Sequence, residues 1–355
     1  MNTEQQIMEH GPALRGFGRR KAVSVTTNCL VQRSFLAGAE GFPLVLEPVV
    51  KGIDAAEWGR SERERLLGEL EQHGALLMRG FGIETAAEFE MLTRAITPEL
   101  LDYRERSSPR QLISKGVYTS TDHPAEQHIH FHNEQSYTQN WPMKLWFFCQ
   151  QPAVTGGATP IADGRKVLQL LDADIRKRFL EKGVMYVRNY GDGIGLPWHE
   201  AFQTRNRRDV EEYCRERSIV CEWKSDDRLR TKQIFRAIVA HPKTKEPVWF
   251  EHTAFFHVSS LELAVRETLL REFDEEDLPF NTYYGDGSTI EESVLDQIRQ
   301  AYREAACIFS WQKGDVLLID NMLVSHAREP FTPPRKVLVA MADLIGPGIA
   351  DSFLR

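Results

Sequence analysis

The chain has 355 residues, 42% hydrophobic and 27% charged, a globular balance with ample length to bury a substantial core. Its formal net charge of -7 leaves no cationic excess to neutralise a phosphate backbone, which argues against a nucleic-acid partner. No uninterrupted apolar run approaches a membrane span and the stretch from Met1 to Gly11 has no apolar core, so no membrane partner and no secretory leader are expected.

The N-terminal cluster Arg15, Arg19, Arg20 and Lys21 reads as a solvated arm. Cys29, Cys149, Cys214, Cys221 and Cys307 are scattered and odd in number, which places the protein in a reducing cytoplasm. From Ala55, apolar residues at helical spacing end at Gly74 and predict one amphipathic helix with a glycine stop. Ala75 to Phe81 follows as a buried strand. Thr85 and Glu88 stand at capping-box spacing ahead of a second helix. His128, His130, His132 and Glu134 recur at period two, so a strand would set all four on one face.

Lys144 to Cys149 reads as another strand. Asp163 is placed to cap a helix through Leu171, and Ala173 to Lys182 forms the next, stopped by Gly183. Roughly Asn189 to Asp227 is charged and does not alternate, the pattern of an insertion or lid over one end of a β scaffold. Val248 to Phe250 is strand-like, and Leu261 to Phe273 is helical. Thr289 and Glu292 are at capping-box spacing for a helix to about Ala305. Strands are expected at Ile308 to Trp311, Val316 to Asp320 and Lys336 to Leu344, with a turn at Lys313-Gly314-Asp315. The order fits an α+β chain, a sandwich or jelly roll buttressed by helices. Without a repeat or linker, residues 1–355 read as one domain. Dinucleotide, nucleotide and hydrolase motifs are absent.

Two histidines and a carboxylate on one face of Fe(II) leave coordination positions open for a keto acid and dioxygen. His132 and Glu134 are separated by one residue, and His326 follows an apolar strand and a polar turn, so these three are the candidate ligands. An HxE triplet alone is weak evidence. Arg335, nine residues past His326, adds a planar, permanently charged fork suited to the distal carboxylate of a dicarboxylic keto acid.

The stretches HNEQSYT, Pro152 to Asp163 and Trp311 to Arg335 resemble the TauD/TfdA family, most closely its SyrP-like branch. That resemblance covers roughly Leu76 to Ala342. It implies a double-stranded β-helix core, Fe(II) at His132, Glu134 and His326, 2-oxoglutarate as co-substrate contacted by Thr159 and Arg335, and dioxygen as oxidant. It also implies hydroxylation or a related oxidation of an amino-acid-derived substrate, free or carrier-tethered, in natural-product biosynthesis. With Glu134 present, hydroxylation is favoured over halogenation. His241 to Phe250 resembles a further block of that branch, in which an Asn commonly follows the Trp-Phe pair. Here that position is Glu251.

An alternative stays open. His128, His130 and Glu134 imitate the spacing of a cupin metal site, which would make the protein a metal-dependent dioxygenase or isomerase needing no keto acid. His252 and His257, flanked by Phe250, Phe255 and Phe256, are candidates for the site mouth. Arg205, Arg207, Arg208 and Lys224 offer a docking face for an acidic carrier domain.

Overall fold

The computed structural model describes residues 30–36, 41–101, 111–120, 123–191 and 197–345. The N-terminal basic cluster and Cys29 lie outside them. Two sheets face each other. The larger has eight strands in the order Val31–Phe35, Leu44–Pro48, Ala75–Met78, Val316–Asp320, Pro142–Gln151, Lys336–Leu344, Val117–Thr119 and Leu112–Ser114. The smaller has four, Ala306–Cys307, Ile161–Asp163, Val324–Arg328 and Ile129–His132. Leu44–Pro48 runs parallel to Ala75–Met78, and the other pairings within these two sheets are antiparallel. This is the jelly-roll core.

The strand Pro142–Gln151 shows why the fold forms. It is buried continuously from Pro142 to Cys149, because both faces of its sheet are covered. Leu145, Phe147 and Cys149 point into the sandwich with Leu317, Ile319, Val337 and Val339. Trp146 and Phe148 point the other way, against helix residues Leu66, Leu70, Phe89 and Leu92. Trp146 satisfies its indole N–H by donating to Thr97 Oγ1 at 3.0 Å, as a buried indole must.

Local chemistry sets several helix ends. The Thr85 and Glu88 capping box opens Ala86–Ile96, and Asp163 caps Gly164–Leu170. Gly74 takes φ +74 and ends Arg63–His73; a Cβ there would lie 2.8 Å from the Val324 side chain.

Several expectations need correction. The single helix from Ala55 is two, Ala55–Ser61 and Arg63–His73, broken at Glu62, whose buried carboxylate lies 3.5 Å from Arg33. Thr289 and Glu292 form no box. Glu291 precedes Glu292–Ala305 without a side-chain cap, since its carboxylate accepts from Arg178 and Tyr284, while Glu292 accepts from Arg266. The strand expected at Ile308 to Trp311 does not form: a two-residue strand, Ala306–Cys307, precedes it, and the chain then turns Trp311 inward to donate to Thr159 Oγ1.

The segment 189–227 is also more regular than its pattern suggested. It joins a third sheet, ordered Val220–Trp223, Leu229–Phe235, Val184–Tyr190 and Phe280–Tyr284. Helix Arg207–Glu216 packs there through Val210 and Cys214, with Tyr190, Trp198 and Leu229. Among the described residues no helix is long and apolar enough to cross a membrane.

Candidate metal and co-substrate site

His132 and His326 face each other across paired strands of the smaller sheet, with ring centroids 4.3 Å apart. Glu134 joins them, and the ligand atoms of His132, Glu134 and His326 all lie within 4.8 Å of one another. Among the described residues this is the one cluster of His, Cys, Asp or Glu able to hold a metal. Glu134 and His326 are buried, and His132 is half-buried.

Glu134 does not arrive by strand alternation. The strand stops at His132, and a turn with Gln135 at φ +57 follows. Asn321 fixes that turn. Its Oδ1 accepts from Glu134 N at 2.8 Å, and its Nδ2 donates to the carbonyls of Glu134 and Pro142, each at 2.9 Å. Asn133 Nδ2 returns a bond to the Asn321 carbonyl. Asn321 lies in the polar turn after the strand Val316–Asp320, and its role depends on a contact 187 residues away in the chain.

His132 is oriented as a metal ligand should be. Its Nδ1 lies 2.8 Å from the carbonyl oxygen of His130, which can only accept, so the proton belongs on Nδ1 and the neutral ring keeps a lone pair on Nε2. His128 and His130 are exposed instead. They stack on each other at 6.5 Å, and His130 Nε2 reaches the Ser260 carbonyl at 3.1 Å. The expected four-residue face is therefore divided, and the metal cluster does not include these two.

Arg335 precedes Lys336–Leu344 and is half-buried. Its Nε donates to the Gly157 carbonyl at 2.9 Å and Nη2 to Thr159 Oγ1 at 3.3 Å. Gly157 is needed for this approach, since a Cβ there would lie 2.9 Å from Arg335 Cδ. Burial, and then the nearby Arg328 guanidinium, push Arg335 down to about 10. Among the described residues no carboxylate forms an ion pair with it. A desolvated cation held by neutral oxygens is suited to a carboxylate from outside the chain. Arg328 is committed elsewhere, to the carbonyls of His123, Pro124 and Gln127.

A ring cluster continues from the metal trio. The His252 ring is 5.3 Å from His132, 5.0 Å from Tyr137 and 4.4 Å from Phe256. Burial, and secondarily His132, hold His252 well below the ordinary imidazole value. Glu251, found where an amide was expected, is buried and accepts from Trp249 Nε1, Thr253 N and Tyr302 OH. It thereby anchors the turn that presents His252. Beside these rings opens a cavity of about 580 Å³, reached by Gln135, Tyr137 and Tyr186, within the usual size range of small-molecule sites.

His257 is buried, and its Nδ1 accepts from Ser259 N and Ser259 Oγ; it is not among the rings packed on His132. Burial, followed by Arg299 and Arg266, lowers it to about 4 despite the opposing Glu292. The folded state thus binds fewer protons than the unfolded chain between about pH 6.5 and 4. Stability is full above that window and falls as pH drops through it, by on the order of 2 kcal/mol from this group. Urea midpoints at pH 7 and pH 4.5 should show this loss in the wild type and a smaller one in His257→Gln; equal losses would contradict it.

The family described as "Taurine catabolism dioxygenase TauD, TfdA family" matches residues 39–341. The dapdiamide synthesis protein DdaC of Enterobacter agglomerans is 44% identical over 283 residues, 80% of this chain and 86% of that protein. A clavaminate synthase-like protein of Arabidopsis thaliana is 28% identical, over 79% of this chain and 85% of its own. Among solved structures, PvcB of Pseudomonas aeruginosa superposes with a TM-score of 0.55 at 17% identity, covering 94% of this chain and 96% of its own, a likeness of fold.

Proposed function

The chain belongs to the TauD/TfdA family and is a 2-oxoglutarate-dependent dioxygenase, and on that premise we propose that His132, Glu134 and His326 hold its iron and that Arg335 and Thr159 hold 2-oxoglutarate. The observation that carries this assignment is the convergence of the three ligand atoms within 4.8 Å. Fe(II) and 2-oxoglutarate together supply the oxidant from dioxygen, releasing succinate and carbon dioxide. The chain's own residues bind, orient and exclude water. The His130 carbonyl keeps the proton on His132 Nδ1, Asn321 sets the position of Glu134, and Arg335 offers its fork to the distal carboxylate.

The substrate in this reading is an amino-acid-derived compound of a natural-product pathway, and the reaction is its hydroxylation or a related oxidation in the cytoplasm. The similarity to a dapdiamide synthesis protein supports it. The chain acts as one oxygenase domain, and the described residues of 189–227, which contribute Tyr190, Phe202, Tyr213 and Arg217 to the cavity lining, serve as its lid. The cupin reading loses its support, because His128 and His130 stand outside the metal cluster.

Succinate release should be stimulated by amino acids, short peptides or their acylated forms, and not by a sulfonate or an aryloxy acid. Stimulation by the latter alone would reject the substrate assignment.

A further inference from the structure

The cavity beside the metal trio has an unequal charge that the proposed chemistry does not use. Arg188 and Arg217 both line it, and among the described residues no Asp or Glu does. Both guanidinium groups are half-buried and held against aromatic faces. Arg217 lies 3.9 Å from the Tyr213 ring centroid, and Arg188 lies 5.6 Å from Tyr137 and 5.1 Å from Tyr190. Stacking of this kind fixes the plane of the fork and lowers the entropy lost when it binds a planar anion.

The backbone supports the same arrangement. Arg217 caps helix Arg207–Glu216, and its carbonyl accepts from Gln139 Nε2 at 2.5 Å and Gln233 Nε2 at 2.9 Å. Its guanidinium pairs with Glu216 at 3.4 Å, whose side chain is 60% exposed, so that contact is weak and readily exchanged. The cavity adjoins the reacting centre across one layer of rings. Tyr137 follows Glu134 by three residues and meets His252 edge to face, and His252 packs on His132. Tyr186, also in the lining, accepts from the His252 backbone N–H at 2.7 Å.

We propose that Arg188 and Arg217 form a second anion subsite, separate from Arg335, that binds the free carboxylate of the amino-acid-derived substrate. The inference rests on the oxygenase reading for what happens next, though the subsite itself does not require iron. It has a consequence for the form of the substrate. A carrier-bound thioester has no free carboxylate at that carbon, so a subsite built for one selects the released acid. Of the four cations Arg205, Arg207, Arg208 and Lys224, Arg207 is paired with Asp227 and Lys224 lies near Glu222.

The test is calorimetric titration of anaerobic protein holding Fe(II) and 2-oxoglutarate. The probes are free amino acids, their N-acetyl acids and the matching carboxamides. At least one acid should bind, with its carboxamide weaker by about tenfold or more, as expected for loss of a charge-assisted pair. Arg188→Gln and Arg217→Gln should each weaken that acid by a similar factor, and Arg188→Lys should recover part of it. An unchanged visible band of the iron and 2-oxoglutarate complex shows that the variants fold.

Equal binding of acid and carboxamide, full binding by both Gln variants, or binding of thioesters with no free acid bound would overturn the subsite. So would the failure of every acid to bind. Repeating the titration without iron separates the two readings: acid binding in protein that never develops the visible band would leave the arginine subsite standing and remove the iron assignment.

Discussion

His326→Ala is expected to abolish turnover and to weaken Fe(II) binding sharply. It removes one of three side chains whose ligand atoms converge within 4.8 Å, and the replacement solvent has no fixed position. Loss of an outer partner of a metal ligand alone costs up to about 100-fold in affinity or activity, so loss of the ligand itself should exceed that. The surrounding strand should survive, because His326 lies in an antiparallel ladder with its neighbours Val324 and Ser325 paired to Asp163 and Ala162. The measurement is the rate of succinate release together with iron content after desalting. His132→Ala should behave in the same way, and near wild-type turnover in either variant would remove the assignment.

The second large effect is at Arg335. Replacing it with Ala leaves the distal carboxylate of 2-oxoglutarate without its cation, at a cost of about 2–5 kcal/mol. The 2-oxoglutarate requirement should therefore rise at least about tenfold, with little change in the requirement for the primary substrate. Arg335→Lys should recover only part, since an ammonium cannot reproduce the fork that meets Gly157 and Thr159. The pH dependence has a defined sign. The charged form binds the carboxylate, and the group sits at about 10 in the co-substrate-free protein. Affinity should hold from neutral pH upward and fall as pH rises through about 10. An unchanged 2-oxoglutarate requirement in Arg335→Ala would contradict the role.

The proposed ligands are legible in the sequence because their types are rare in combination. His132, Glu134 and His326, with Arg335 nine residues beyond, could be picked out before any fold was known. Thr159 was reached through family resemblance alone. In the structure its hydroxyl accepts from both Trp311 and Arg335, a convergence that no spacing encodes. How Glu134 reaches the site differs from what the sequence pattern predicts. Period-two alternation predicts a strand through Glu134, but the turn there is fixed by the distant Asn321, and local periodicity carries no information about such a partner.

The same limit explains the segment 189–227. Its strand Val220–Trp223 lies at a sheet edge and pairs with Leu229–Phe235, so its burial is too uneven for a clear alternating pattern. Arg217 lies in this charged background and Arg188 just before it, with no distinguishing neighbour in sequence. Their common feature is the cavity they share, which depends on strand Val184–Tyr190 and the end of helix Arg207–Glu216 being brought together by the third sheet.

The most direct measurement is anaerobic addition of Fe(II) and then 2-oxoglutarate, followed by visible absorption. The assignment predicts a weak charge-transfer band that needs both additions, disappears in His326→Ala, and requires much more 2-oxoglutarate in Arg335→Ala. No band in metal-replete wild-type protein, or a band unaltered by both substitutions, would contradict it.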